Sequence, residues 1–291
     1  MSFRVAGIGE LLWDRFPDGD RLGGAPANFA FHAGQLGAEA RIVSRLGRDA
    51  DGSRLIESLA RQKLATNFIQ RDPSHPTGLV RVEIKEGQPT YLIENPSAWD
   101  YLELTGELKG LAATLDAVCF GTLAQRHPVS QRTIQEFVRL CPPKTLRLFD
   151  INLRHAFFTR ETIEFGLSHA TALKLNGEEL VRIAALFGWP SPREEALARI
   201  FKLFPLEWIA VTRGSEGCEI HTREKTVRSK APKVTCVDAV GAGDAFSAAL
   251  VTGLLNRLPL DKIADHANRV GAYVASQPGA MPPLPQEITI P

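Results

Sequence analysis

The stretch Cys236-Val-Asp238-Ala-Val-Gly241-Ala-Gly243-Asp244-Ala-Phe-Ser-Ala-Ala-Leu250 sets an acid inside a glycine turn that runs straight into helix-forming residues. Gly241 and Gly243 let the backbone turn sharply and present several N–H groups on one side. Residues 245–256 read as helix, and a helix N-terminus carries partial positive charge that stabilises an anion. Two readings of Asp244 stand side by side. As an N-cap it satisfies local amides and contributes about 1 kcal/mol. As a functional group it is a base beside a site for negative charge, a pairing suited to phosphoryl transfer.

Upstream of this turn, strand and helix signals alternate from Leu115 onward. Strands are expected at 116–121, 146–151, 171–175 and 208–212, with helices at 129–140, 160–168, 177–187 and 193–203 between them. That rhythm predicts an α/β fold with a mostly parallel central sheet and helices on both faces. Strands 218–221 and 225–228 precede the glycine turn, and a last helix covers 260–275.

The N-terminal part opens with a buried strand from Phe3 to Gly9. Gly7-Ile-Gly9 begins like a dinucleotide fingerprint, but Leu12 stands at the third glycine position, which argues against a nicotinamide oxidoreductase. Residues 10–16 alternate as an exposed strand that breaks at Pro17-Asp-Gly19-Asp. Gly23-Gly24-Ala-Pro26-Ala-Asn28 leads into a helix to about Gln35, with Pro26 suited to the first turn. A strand over 40–46, the loop Gly47-Arg-Asp49-Ala-Asp-Gly52 and a helix over 53–63 follow. Residues 77–84 and 89–94 form a hairpin around Glu86-Gly87-Gln88, and with strand 10–16 make a small separate sheet. Its apolar residues Leu79, Val80, Val82, Ile84, Leu92 and Ile93 need cover from a substrate or a second subunit.

Composition narrows the function classes. The chain has 291 residues, 44% hydrophobic and 23% charged, with a formal net charge of +1. Nothing there favours nucleic acid or a membrane surface as partner. Cys119, Cys141, Cys218 and Cys236 show no metal-ligand spacing and read as reduced thiols of a cytoplasmic protein. No Walker-type Gly-Lys-Ser/Thr, no HExxH and no nucleophile elbow occurs, so phosphate binding must use the 241–244 nest.

The run Asp-Ala-Val-Gly-Ala-Gly-Asp-Ala-Phe at 238–246 resembles the C-terminal signature of the ribokinase-type (PfkB) sugar kinases. Ala239 stands where that family usually has Thr. The Gly23–Asn28 and Gly47–Gly52 stretches resemble its N-terminal signatures, so the resemblance covers essentially the whole chain. It implies a single three-layer domain over 1–291 with a small β-sheet lid built from about 10–22 and 77–97. In this family such a lid closes over the sugar and often makes a dimer contact.

The resemblance also implies roles. Asp244 is the general base, and the amides of Gly241, Ala242, Gly243 and Asp244 form the anion hole. Asp14 binds two sugar hydroxyls, with Gly24, Asn28 and Asn95 as further sugar contacts. Arg154, at the end of a strand, steers the phosphoryl group, or else sits in a surface salt bridge. Asn176 and Glu179 position Mg²⁺ through water, although their spacing is also that of a plain capping box. Thr212, Gly214, Gly217 and Gly243 face ATP, with Asn268 on the adenine side and the role of Arg213 open. Asp238, the Val240 carbonyl and Gly279 make a K⁺ site. Trp13 and Trp99 either wall the pocket or pack in the core.

These readings point to an ATP-dependent kinase acting on a primary sugar hydroxyl. Glu10-Leu-Leu-Trp-Asp14 with Gly23–Asn28 looks most like the fructokinase branch, which makes fructose the first choice. 2-Keto-3-deoxygluconate kinase, ribokinase and nucleoside kinase are the rivals within the family, and a non-catalytic sugar-binding regulator the rival outside it.

Overall fold

The computed structural model describes residues 2–85, 88–189 and 193–289. The chain opens with β1 (Arg4–Ile8), β2 (Leu12–Phe16), β3 (Gly19–Gly23), α1 (Ala25–Gln35), β4 (Glu39–Gly47) and α2 (Ala50–Arg61). Next come β5 (Ile69–Asp72), β6 (Gly78–Lys85), β7 (Gln88–Ile93) and α3 (Gly106–Ala112). Strand and helix then alternate through β8 (Ala117–Phe120), α4 (Pro128–Leu140), β9 (Leu146–Asp150), α5 (Arg160–His169), β10 (Ala172–Asn176) and α6 (Gly177–Phe187). The remainder is α7 (Arg193–Leu203), β11 (Trp208–Thr212), β12 (Cys218–His221), β13 (Thr226–Ser229), α8 (Ala242–Leu255), α9 (Leu260–Ala275) and α10 (Gln286–Thr289).

The main sheet runs β13-β12-β11-β10-β9-β8-β1-β4-β5, parallel from β11 to β5 with β12 and β13 antiparallel at one edge. Its central strands are apolar on both faces, as parallel strands between two helical layers must be. Alternate residues serve opposite layers. Val118 and Phe120 of β8 face a core with α3 to α7, while Ala117 and Cys119 face one with α1, α2, α8 and α9. The chain direction reverses at β1, with β4 on one side and β8 on the other. In open α/β sheets the carboxyl ends beside such a reversal form a crevice.

A second sheet, β3-β2-β6-β7, stands apart, with β2 parallel to β6 and the other pairs antiparallel. Strand β2 is not the exposed strand expected from its alternation: Leu12 and Trp13 are buried. The break after Phe16 is a turn as expected, but it leads directly into β3, because Gly19–Gly23 finds ladder partners along β2. Strand β5 and helix α3 carry no sequence signal strong enough to have been expected. The 86–87 turn of the hairpin, and the side chains of Val82 and Ile84, lie outside what is described.

Two helix starts move earlier than the apolar pattern suggests. Asp49 caps α2 by accepting from the Gly52 amide, so that helix begins at Ala50 rather than 53. Gly241 in the left-handed region caps α8, so helix begins at Ala242 and Asp244 lies inside its first turn. The N-cap reading of Asp244 is therefore wrong. A Cβ on Gly241 would meet the Ala280 backbone at 2.6 Å, so neither its φ of 78° nor the space admits another residue.

The return from the small sheet is anchored by a buried ion pair. Arg126 donates to both oxygens of Asp100 at 2.8 Å and to the Glu94 carbonyl at 2.7 Å, while its guanidinium lies 3.9 Å from the Trp99 ring centroid. This explains Trp99, which is a core residue. Trp13 is likewise core, its Nε1 donating to the Asp51 carbonyl. Asp100→Ala leaves Arg126 buried without its counter-charge. Urea denaturation is expected to show a loss of about 3–5 kcal/mol in unfolding free energy.

Candidate active site

The carboxyl ends of β1, β9, β10 and β11, the N-terminus of α8 and one face of the small sheet enclose a cleft of about 590 Å³. That size suits a small ligand with a few fixed polar groups. Glu10 enters it just past β1, and Asn152 and Arg154 just past β9. Lys174 and Asn176 come from the end of β10 and Thr212 from the end of β11. Leu12, Asp14, Val80 and Ile93 form the wall on the side of the small sheet.

Asp244 sits at the centre of the cleft, 9% exposed, and accepts a 2.7 Å hydrogen bond from Asn28 Nδ2. Burial and the nearby Asp150 charge push its carboxyl up to about 6, with Lys174, Asn28 and Arg154 opposing. The amides of the first turn of a helix have no intrahelical acceptor, so those of Gly243 and Asp244 are available to an anion. The Ala242 amide turns back to the Ala239 carbonyl at 3.3 Å, which narrows the four-amide nest expected from the glycines.

Lys174 was not singled out from the sequence, and it is central. Its Nζ bonds Asp150 Oδ1 at 3.1 Å, and Ser247 on α8 donates to Asp150 Oδ2 at 2.8 Å. A Cβ on Gly243 would lie 2.9 Å from Lys174 Nζ, so the ammonium rests against the glycine turn. Burial disfavours its charge, but Asp150, Asp244 and Glu179 outweigh that and hold its pKa above the ordinary lysine value. The available signal was a lysine inside an otherwise apolar central strand, where a charge persists only if it is paired.

Two carboxylates share the opposite half of the cleft. The Asp14 carboxylate on β2 makes no hydrogen bond among the described residues, and Gly23 gives it room, since a Cβ there would meet Asp14 Oδ2 at 2.2 Å. Burial pushes Asp14 up to about 6, with Arg154 opposing and Asp238 adding to the rise. Glu10 entered the sequence reading only as part of the 10–16 strand and the fructokinase-like stretch, with no site role. Burial drives its carboxyl to about 7, and its Oε1 accepts the Ala25 amide at 3.3 Å. Arg154 is exposed, lines the cleft and makes no ion pair among the described residues, so the salt-bridge reading of it fails.

Other expected residues fall into place less completely. Gly24, at φ 115°, starts α1 with its would-be Cβ 2.4 Å from the Glu10 carbonyl, which only glycine allows. Asn176 and Glu179 form a reciprocal capping box, and Glu179 also accepts the Leu153 amide at 2.9 Å. Among the described residues no group of three or more His, Cys, Asp or Glu could hold a metal directly. Asn95 is exposed just beyond β7 and does not line the cleft, so it is not placed as a sugar contact.

On the β11 side, Gly214 and Gly217 shape the turn before β12 at φ 56° and 106° without lining the cleft. Arg213 in that turn pairs with Glu216 and, at 3.1 Å, with the buried Glu219, which accounts for it structurally. Asn268 is buried on α9 and donates to the Ser229 carbonyl at 3.0 Å, so its amide nitrogen serves the α9–β13 contact. Asp238 and Gly279 come together behind the glycine turn, outside the cleft.

A sequence model described as "pfkB family carbohydrate kinase" matches residues 19–287. The chain belongs to the pfkB family of carbohydrate kinases. Fructokinase from Escherichia coli is 29% identical over 98% of this chain and 97% of its own. An ATP-dependent 6-phosphofructokinase from Thermoanaerobacterium thermosaccharolyticum is 27% identical over 99% of this chain and 93% of its own. The structure of Vibrio cholerae fructokinase in fructose, ADP and calcium ion bound form superposes with a TM-score of 0.84 at 26% identity, covering 99% of this chain and 98% of that one. This pfkB-family chain is thus a sugar phosphotransferase with the ribokinase-like layering.

The raised carboxyls carry a pH consequence. A carboxyl can take up a proton only while ionised, and both Asp14 and Asp244 lose their charge as pH falls through about 6. A pH–rate profile for phosphoryl transfer is therefore expected to fall below about pH 6 with a slope steeper than one. Carboxylates at their ordinary values near 4 would leave it flat down to about pH 5.

Proposed function

We propose that this sugar kinase transfers the γ-phosphoryl group of ATP to a primary hydroxyl of a monosaccharide, with D-fructose as the preferred acceptor. The observation that carries the reading is Asp244, buried in the cleft at the start of α8 and held by Asn28, with the Asp14 wall on one side and Lys174 on the other. The choice of fructose leans on the Glu10–Asp14 and Gly23–Asn28 stretches and on the fructokinase relatives.

In this reading the sugar lies between the small sheet and Asp244. Asp14 accepts from two of its hydroxyls, Gly24 lets backbone approach it, and Asn28 Oδ1, buried without a partner, accepts a third. Asp244 takes the proton of the attacking hydroxyl late, as the transition state forms, because a sugar alcohol is far less acidic than a carboxyl. The amides of Gly243 and Asp244 meet the charge that builds on the transferred group, and Lys174 and Arg154 add positive potential from either side.

ATP extends toward the β11 side, past Thr212 and the Gly214–Gly217 turn, with its base toward α9 near Asn268. Mg²⁺ fits here through water only. Each Glu179 oxygen accepts one amide and keeps a second lone pair, and Asn176 is exposed at the cleft edge. The ion, when bound, screens the charge between the phosphates. We further propose that the small sheet closes as a lid that excludes water. A dimer would form along its edge strand β7, where Leu92 is 58% exposed. Four unpaired cysteines suit a cytoplasmic setting.

Asp244→Ala is expected to lower kcat by about 10²–10⁴-fold while ATP still binds. A coupled ADP-release assay over fructose, fructose 6-phosphate, 2-keto-3-deoxygluconate, ribose and nucleosides tests the acceptor, with fructose expected to give the highest kcat/KM. Sugar binding without any phosphorylated product would point to the regulator instead. Light scattering at micromolar concentration is expected to give twice the chain mass, and Leu92→Arg to give the monomer.

A further inference from the structure

Both oxygens of Asp238 are already engaged. Oδ1 accepts the Val240 amide at 3.0 Å, and Oδ2 accepts the Gly279 amide at 3.1 Å and Arg21 Nη1 at 3.2 Å. The resemblance to the sugar kinases implies a monovalent cation on this acid, with backbone carbonyls completing its shell. On this acid the structure instead places a fixed cationic group: the Arg21 guanidinium rests on Oδ2, which it shares with the Gly279 amide. A second unit charge beside Arg21 would be repelled at close range.

Arg21 is held in place from several directions. It lies on β3 opposite Asp14, its guanidinium sits 4.1 Å from the Phe16 ring centroid, and Nη2 pairs with Asp18 at 3.0 Å. Asp238 is 14% exposed and Arg21 37%, so water reaches the guanidinium and screens the pair in part. The contact joins positions 217 residues apart, tying the small sheet to the loop that leads into α8.

We infer that Arg21 takes the place of the monovalent cation at Asp238. It neutralises the acid, orders the loop that presents the Gly243 and Asp244 amides, and docks the small sheet at the same time. Arg21 is thus a positioning residue, and the protein needs no K⁺. The inference rests on the proposed roles of the cleft residues, but its main readout is thermal and does not depend on which sugar is phosphorylated.

The test compares the Tm of the full chain in choline chloride and in potassium chloride at equal ionic strength. The natural protein is expected to show the same Tm in both. Arg21→Gln is expected to melt lower in choline and to recover with potassium along a saturable curve, more than with lithium, while Arg21→Lys stays indifferent. Sugar KM in Arg21→Gln should rise several-fold in choline and fall back with potassium, with ATP KM within about twofold; a merely structural loss would not respond to the ion. A saturable, potassium-specific rise in the natural protein's Tm overturns the inference, as does an Arg21→Gln protein indifferent to every monovalent cation. If Arg21→Gln does not fold, the natural protein's potassium response decides alone.

Discussion

A carboxylate buried in the wall of the cleft has to keep its charge, and much of the molecule is arranged around that constraint. Asp244 meets it with a 2.7 Å bond from Asn28, the positive end of α8 and the neighbouring Lys174 ammonium. Lys174 in turn is tolerable inside the sheet only because Asp150 pairs with it, and Asp150 is completed by Ser247 on the helix that carries Asp244. The chain of contacts closes on itself. Substituting any member leaves a buried polar group without its partner, which costs more than the bond itself contributes.

The parallel sheet supplies the rigid frame for this circuit. Lys174 lies on β10 and Asp150 ends β9, neighbouring strands in register, so their side chains meet without a flexible segment between them. Asp244 and Ser247 are three residues apart on α8 and so share one face of it. Asn28 comes from α1, which packs against α8. Sites built on strands and helices in this way are positioned more tightly than sites built on loops. The small sheet is the exception. It brings Asp14 to the wall of the cleft and Arg21 to Asp238, both from outside the frame.

Much of this was legible beforehand because periodicity reports local environment directly. The run of apolar strands from β8 to β11 has no other stable arrangement than a covered parallel sheet, and the glycine turn at 241–243 marks where the backbone nest lies. What escaped notice did so for physical reasons. Strand β3 has little alternation of its own and exists because β2 offers it a ladder. Lys174 passed without notice because its partner Asp150 lies on the neighbouring strand, 24 residues away. Asn95 sits at the end of the right strand yet points its exposure elsewhere, and a one-dimensional pattern contains no information about that.

The amino-acid sequence by itself determined the layering, the mostly parallel sheet and the identity of the acid at position 244, since these follow from burial periods and from residues that only one backbone conformation accepts. Only the tertiary structure decided that Asp244 lies within the helix rather than capping it, that Arg213 serves a buried glutamate, and that Arg21 reaches Asp238. The first rests on the left-handed Gly241 cap, the second on the turn that brings β12 back beside Arg213, and the third on two side chains that meet across 217 residues of chain. Such meetings are set by packing and charge pairing in three dimensions, not by any neighbour along the backbone.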